Sequence, residues 1–252
     1  YGNLILMIEI KDIWKGFRKN EVLKGVSLNI EEGKTYVILG RSGCGKSVLL
    51  KIIIGLMKPD KGRVIIFKRD ITSLSEDELM KTRQMFSVVF QESALFDFLN
   101  VFENVGFFLI EHTNLNKSDI MARVKHSLSL VGLSNIENLY PVSLSGGMKK
   151  RVALARAIIT NPKIILYDEP TTGIDPITGS EISHLIKDLS NRLNVTSIVV
   201  THDIALSYDI SDKIAMLCDG KIIIEGTQDE IKQSNNPHLR QFITGGREFR
   251  IL

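Results

Sequence analysis

At 252 residues with 44% hydrophobic side chains, the chain is long enough for one large α/β domain or two small ones, and its composition excludes a disordered or fibrous protein. Its 32 basic and 29 acidic residues leave a formal net charge of only +3, so no strong field marks it as a nucleic-acid binder. Two cysteines, Cys44 and Cys218, offer neither a disulfide framework nor a metal-ligand spacing, which fits a reducing compartment.

The opening residues YGNLIL lack the basic start and small-residue cleavage site of a secretory signal, and MIEIKDI reads like a natural start at Met7. Short β-branched runs at 34–39, 86–90, 163–168, 196–201 and 213–218 predict buried strands. Several are followed by helical patterns, which implies a largely parallel sheet. Between the second and third runs, residues 91–161 have mainly helical character and predict an inserted helical subdomain. Within it Met148, Val152, Ala155 and Ile159 share one helical face, with Ser145 as the cap and Asn161-Pro162 as the stop. Beyond Ile231 the chain is polar and less regular, a tail over 231–252. No apolar run approaches the roughly 20 residues that span a bilayer, so any membrane role is expected to be peripheral.

The stretch ILGRSGCGKSVLL carries the first chemical signal. Gly40, Gly45, Lys46 and Ser47 have the spacing G-x-x-x-x-G-K-S of a phosphate-binding loop, with Arg41, Ser42, Gly43 and Cys44 between them. Backbone N–H groups converge on phosphate oxygens only where side chains do not obstruct them, and glycines permit that approach. The strand before the loop and the helix after it add a helix N-terminus to the anion site. Lys46 is expected at the β- and γ-phosphates and Ser47 at Mg²⁺. A nucleotide site also needs a carboxylate for the metal and a group to activate water. The strand end IILYDE supplies Asp168 for the first role and Glu169 for the second.

Further motifs follow in order: Gln91 after a strand, LSGGM at 144–148, LYDEPTTGIDP at 166–176 and THD at 201–203. From Met7 to Gly226 this set resembles the nucleotide-binding subunit of an ABC transporter. The resemblance implies a P-loop NTPase core, α/β with a mostly parallel sheet, an antiparallel β edge and the inserted helical subdomain. The implied division is an ABC ATPase domain over 7–230, with core segments 7–90 and 162–230, a helical subdomain over 91–161 and the tail 231–252. ATP and Mg²⁺ are the implied ligands, and ATP hydrolysis the implied reaction. By the same resemblance, Gln91 senses metal, water and the membrane partner, Glu169 is the catalytic glutamate and His202 contacts the γ-phosphate. Ser145, Gly146 and Gly147 meet the nucleotide held by a second subunit, and Asp175 belongs to the loop that crosses between subunits. Phe17 sits about where an aromatic stacks on adenine, with Trp14 as second candidate. Cys44 reads as a small tolerated residue rather than a nucleophile. The implied assembly is a head-to-tail homodimer enclosing two ATP molecules.

The segments FQESALFDFLNVFENV, LSGGMKKRVALARAI and DEPTTGIDPITG are similar to the ATPases of Mla-type phospholipid-transport systems, which pair with an MCE-associated permease. A peripheral place on the cytoplasmic face of the inner membrane follows from that likeness, and so does the tail segment LRQFITGGREF as a place for subunit contacts. An amino acid importer is the alternative within the family, since YPVSLSGG is importer-like; a non-transport ABC ATPase that signals through a membrane partner is the alternative outside transport. Phe96, Phe98, Leu99 and Phe102 are expected mostly in the core, with a permease-docking groove between this segment and the Gln91 loop.

Overall fold

The structure is a computed structural model, and it describes residues 6–244. Among these, the chain runs through β1 (Leu6–Phe17), β2 (Asn20–Glu31), β3 (Thr35–Leu39), α1 (Lys46–Ile53), β4 (Lys61–Ile66), β5 (Arg69–Asp70) and α2 (Glu76–Arg83). It continues through β6 (Phe86–Val89), α3 (Val101–His112), α4 (Lys117–Leu130), a 3-10 turn at Pro141–Ser143, α5 (Gly146–Ile158) and β7 (Ile164–Asp168). The remaining elements are α6 (Pro176–Leu193), β8 (Thr196–Thr201), α7 (Ile204–Ile210), β9 (Lys213–Cys218), β10 (Lys221–Gly226), α8 (Gln228–Gln233) and α9 (Pro237–Ile243). The chain forms two compact units, one joining the residues up to Ser75 with those from Val200 onward, the other comprising Glu76–Val199.

In the first unit, β2, β1, β4 and β5 form an antiparallel sheet in that order. Alternation drives it: Ile8, Ile10, Val26, Leu28 and Ile30 are buried, while Lys11 and Ser27 face outward. The period breaks at Asp12, whose φ of 50° marks a bulge, and Ile13 resumes the buried face. Opposite that bulge stands Gly62. A β-carbon there would lie 2.2 Å from the Asp12 carbonyl oxygen, so only glycine lets the two strands close.

The same unit holds β10, β9 and β3 in sequence across a second sheet. All residues of β3 are buried, and β3 pairs in parallel with β9, Tyr36 opposite Lys213 and Leu39 opposite Met216. Asp219 and Gly220, at φ 47° and 82°, make the tight turn that sends β9 back as β10.

In the second unit β7 lies between β6 and residues 196–199 of β8, and β6 runs parallel to β7 from Phe86 opposite Ile164 to Val89 opposite Tyr167. The crossover between them contains α3, α4 and α5. Val152, Ala155 and Ile159 are buried as their spacing predicts, with Met148 half-buried at the start of that face. Each predicted strand is present. Of the apolar residues after Gln91, Phe102 is buried at 8% exposure, whereas Phe98 is 77% and Phe96 38% exposed, so the expected core placement fails for these two aromatics. Phe96 instead packs against Phe98 and Phe107, ring centres 5.8 and 5.0 Å apart. The tail contributes α8 and α9, and its residues 245–252, which include the end of LRQFITGGREF, lie outside the described residues.

Candidate functional site

The phosphate loop joins the buried end of β3 to α1. Its glycines answer different constraints. Gly43 and Gly45 adopt φ of 79° and 108°, a region that side chains avoid. Gly40 has ordinary backbone but no room: a β-carbon would sit 2.5 Å from the Leu217 carbonyl oxygen and 2.7 Å from the Cys44 sulfur. Lys46 is buried beneath the loop, its Nζ donating to the carbonyls of Gly40 at 2.7 Å and Arg41 at 3.1 Å. Arg41, Ser42, Gly43 and Ser47 are exposed along the rim. A cation thus lies under a ring of outward backbone at a helix N-terminus, an arrangement that attracts polyphosphate. Burial pushes the Cys44 thiol above its usual range, against the opposing pull of Lys46, which argues for an inert thiol.

In the same unit the Gly40 N–H donates to the Thr201 carbonyl at 3.1 Å, and Thr201 precedes the exposed His202. Asp203 caps α7 by accepting from the Leu206 N–H, which fixes where β8 ends and His202 emerges. Phe17 stands 44% exposed at the end of β1 with the Lys15 ammonium 5.7 Å from its ring centre. Trp14 is engaged locally, its indole N–H donating to Asp12 at 2.9 Å and its ring lying under Lys61.

In the second unit, pairing of β6 with β7 brings Gln91 and the Asp168-Glu169 pair to the same carboxyl edge of two parallel strands. Gln91 is exposed, Asp168 half-buried and Glu169 only 8% exposed. Glu169 has φ of 49°, a left-handed conformation that an ordinary residue holds only when its surroundings impose it. Ser145 caps α5, its hydroxyl accepting from the Met148 N–H at 3.2 Å. Gly147 is a second position without space, since a β-carbon would lie 2.7 Å from a methyl of Thr178. Asp175 caps α6, accepting from the N–H groups of Ile177 and Thr178 and from the Thr178 hydroxyl at 2.6 Å. That hydroxyl, with the amides, holds the Asp175 carboxyl below the usual carboxylate range.

Sequence reasoning passed over three residues that grip the Gln91 segment. Lys150 donates to the Gln91 carbonyl, Arg156 to the carbonyls of Ser93 and Ala94, and Asn104 to those of Phe96, Leu99 and Asn100. Lys150 sits in a run of basic residues that reads as a solvated face, and nothing in its spacing shows that it turns inward.

Residues 23–172 match the family model described as ABC transporter. The chain belongs to the ABC transporter family. As an ABC ATPase it binds ATP, and its α/β architecture is the P-loop fold of these cassettes. It is 40% identical over 240 residues to the probable ribonucleotide transport ATP-binding protein mkl of Mycobacterium leprae, covering 95% of this chain and 69% of that protein. It is 40% identical over 239 residues to the intermembrane phospholipid transport system ATP-binding protein MlaF of Haemophilus influenzae, covering 95% of this chain and 90% of the relative. Among solved structures, the dimeric post-hydrolysis ATP-binding cassette MJ0796 bound to ADP and Pi superposes with a TM-score of 0.80 at 37% identity, covering 88% of this chain and 98% of that one. No helix among the described residues is long and apolar enough to cross a membrane.

Proposed function

We propose that this chain is the ATP-hydrolysing subunit of a phospholipid transporter, working as a homodimer on the cytoplasmic face of the inner membrane with an MCE-associated permease. The observation that carries the lipid reading is the likeness to MlaF, 40% identity that extends over 95% of this chain. Under this reading the ATPase domain spans 7–230, with 91–161 as the inserted helical subdomain and 231–252 as an appended tail.

Lys46 and the amides of residues 40–47 bind the phosphates, and Phe17 stacks on the adenine. The donors assigned to Mg²⁺ are the Ser47 hydroxyl, the Asp168 carboxylate and the Gln91 amide oxygen, all hard oxygen ligands that suit this ion. When bound, the ion neutralises charge on the β- and γ-phosphates. Glu169 takes a proton from water as the water oxygen bonds to the γ-phosphorus and the bond from that phosphorus to the β-bridging oxygen breaks. His202 steadies the γ-phosphate, and the amides and hydroxyl of Ser145, Gly146 and Gly147 do so from the second copy, with Asp175 on the crossing loop. ATP closes the dimer, and hydrolysis reopens it.

The exposed Phe96, which packs on Phe98 and Phe107, stands next to a cavity of about 460 Å³ whose apolar wall includes Phe102, Phe107, Ile110 and Ile120 and whose edge carries Glu103, Glu111 and Lys117, a surface suited to an amphipathic permease segment. The deciding experiment is affinity purification of the Glu169→Gln chain from detergent-solubilised membranes, with mass spectrometry of the proteins and lipids that accompany it. An MCE-associated permease with enriched phospholipid supports the proposal. A permease of another class keeps the motor and replaces the cargo, and the absence of any membrane partner removes the transport role.

A further inference from the structure

The segment from Gln91 to Asn100 is held by side chains from two helices, most of which bond to its carbonyl groups. Asn104 of α3, with no exposed surface, accepts from the Phe96 N–H at 2.8 Å and donates to the carbonyls of Phe96, Leu99 and Asn100 at 3.0, 2.9 and 3.1 Å. That set closes the distal half of the segment onto α3. The proximal half belongs to α5. Lys150, 5% exposed, donates to the Gln91 carbonyl. Arg156 donates from its two terminal nitrogens to the carbonyls of Ala94 and Ser93, each at 2.7 Å.

Two features set this grip apart from ordinary packing. Ser93 and Ala94 have φ of 63° and 46°, so the carbonyls that Arg156 holds belong to two consecutive residues in a conformation that L side chains resist. Both cations donate to carbonyls although burial draws the affinity of Lys150 and Arg156 for their protons below the usual range, for Lys150 against the opposing pull of the Glu92 carboxylate. The hydrogen bonds offset that cost, and each one ties a carbonyl of the segment to a fixed point on α5.

We propose that Lys150 and Arg156 are positioning residues that fasten the Gln91 segment to α5, the helix that Ser145 caps, so that Gln91 and Ser145 move as one body during the ATPase cycle. Lys150 fixes the Gln91 backbone, and the exposed amide of Gln91 then searches only its own side-chain torsions. Ser145 caps the same helix five residues before Lys150, so a shift of Gln91 is transmitted to the Ser145 hydroxyl through about 1.4 turns of helix. The inference rests on the reading of Gln91 as a group that acts in ATP turnover.

The test uses the full-length chain and compares Gln91→Ala, Lys150→Met, Arg156→Lys and the double variant Gln91→Ala with Lys150→Met. Lys150→Met should keep the thermal midpoint close to that of the parent and the KM for ATP within about twofold, while kcat falls about tenfold, the order expected when a reacting group is displaced by a fraction of an ångström. Lys150→Arg, which restores a donor, should recover most of the rate. In the Gln91→Ala background the Lys150→Met change should cost nothing further, since its effect passes through Gln91. Hydrogen exchange at the amides of residues 91–95 should quicken in Lys150→Met and in Arg156→Lys. If Gln91→Ala slows turnover while Lys150→Met and Arg156→Lys do not, the fastening has no role and the proposal is overturned. A Lys150→Met cost that is the same with and without Gln91 marks a merely structural residue and overturns it equally. If Gln91→Ala leaves kcat unchanged, the underlying reading of Gln91 fails and takes the proposal with it.

Discussion

The backbone N–H of Gly40 donates to the carbonyl oxygen of Thr201, and this bond ties the first residue of the phosphate loop to the strand end from which His202 projects. The loop lysine and the candidate γ-phosphate histidine are thus tied to one another through main chain. The register depends on Gly40 staying close to its neighbours, which gives the first prediction. Gly40→Ala forces a β-carbon against the Leu217 carbonyl and the Cys44 sulfur. Overpacking of this kind costs about 1–3 kcal/mol. ATP affinity should fall with it, read by nucleotide titration, and the thermal midpoint should drop. The double variant with Cys44→Gly relieves only the sulfur contact, so it should recover part of the loss.

Glu169 carries the second prediction. Replacing it with glutamine keeps the shape and removes the proposed base, so turnover should fall by about 10² to 10⁴ while ATP binding persists. Steady-state hydrolysis measured beside equilibrium binding separates the two. The same variant should accumulate a dimer on gel filtration with ATP present, and a rate equal to that of the parent would remove Glu169 from the base role.

Asp175 gives a pH prediction. Its carboxyl is held below the usual range by the Thr178 hydroxyl and the amides of Ile177 and Thr178. A depressed carboxylate contributes stability that is present above its unfolded value, about 3.9, and is lost as pH falls through the lower folded value. An asparagine in its place would still cap the helix but could not titrate. The difference in thermal midpoint between the parent and Asp175→Asn should therefore be constant from pH 7 to about 5, shrink below about 4 and vanish under strong acid. A difference that grows on acidification contradicts the assignment.

Phe98 gives the fourth. With 77% of its surface exposed, exchange for aspartate removes an apolar contact without opening a core cavity. Phe98→Asp should leave the stability within about 0.5 kcal/mol of the parent, the range of ordinary surface changes, as read by denaturant titration. It should also abolish co-purification with the membrane partner. Loss of ATP binding in this variant would instead place Phe98 in the nucleotide region.

Much of the nucleotide chemistry is readable from spacing, because a phosphate loop, a strand-end Asp-Glu pair and a helix cap are local in sequence. Each depends on residues within one turn of chain. Strand β1 is harder to place, since the bulge at Asp12 interrupts the alternation that would announce it. Gly40 and Gly43 look alike in the sequence, yet one is fixed by a neighbouring strand and the other by its own backbone angle. Lys150 and Arg156 are illegible for a further reason. Their partners are carbonyl groups, which every residue possesses, so no side-chain pattern records them. Phe98 departs from its expected place because an apolar run after a strand looks the same whether a core or another protein receives it.

Gly147 and Thr178 meet across α5 and α6 with no allowance for a β-carbon. The two positions therefore share one volume, and their histories are tied. In a lineage of this chain, a residue larger than glycine at 147 becomes tolerable only after 178 has lost its methyl, so a serine at 178 is the permissive step and must come first. Substitutions at these sites are ordered in time, and a library that varies position 147 alone will recover only glycine there.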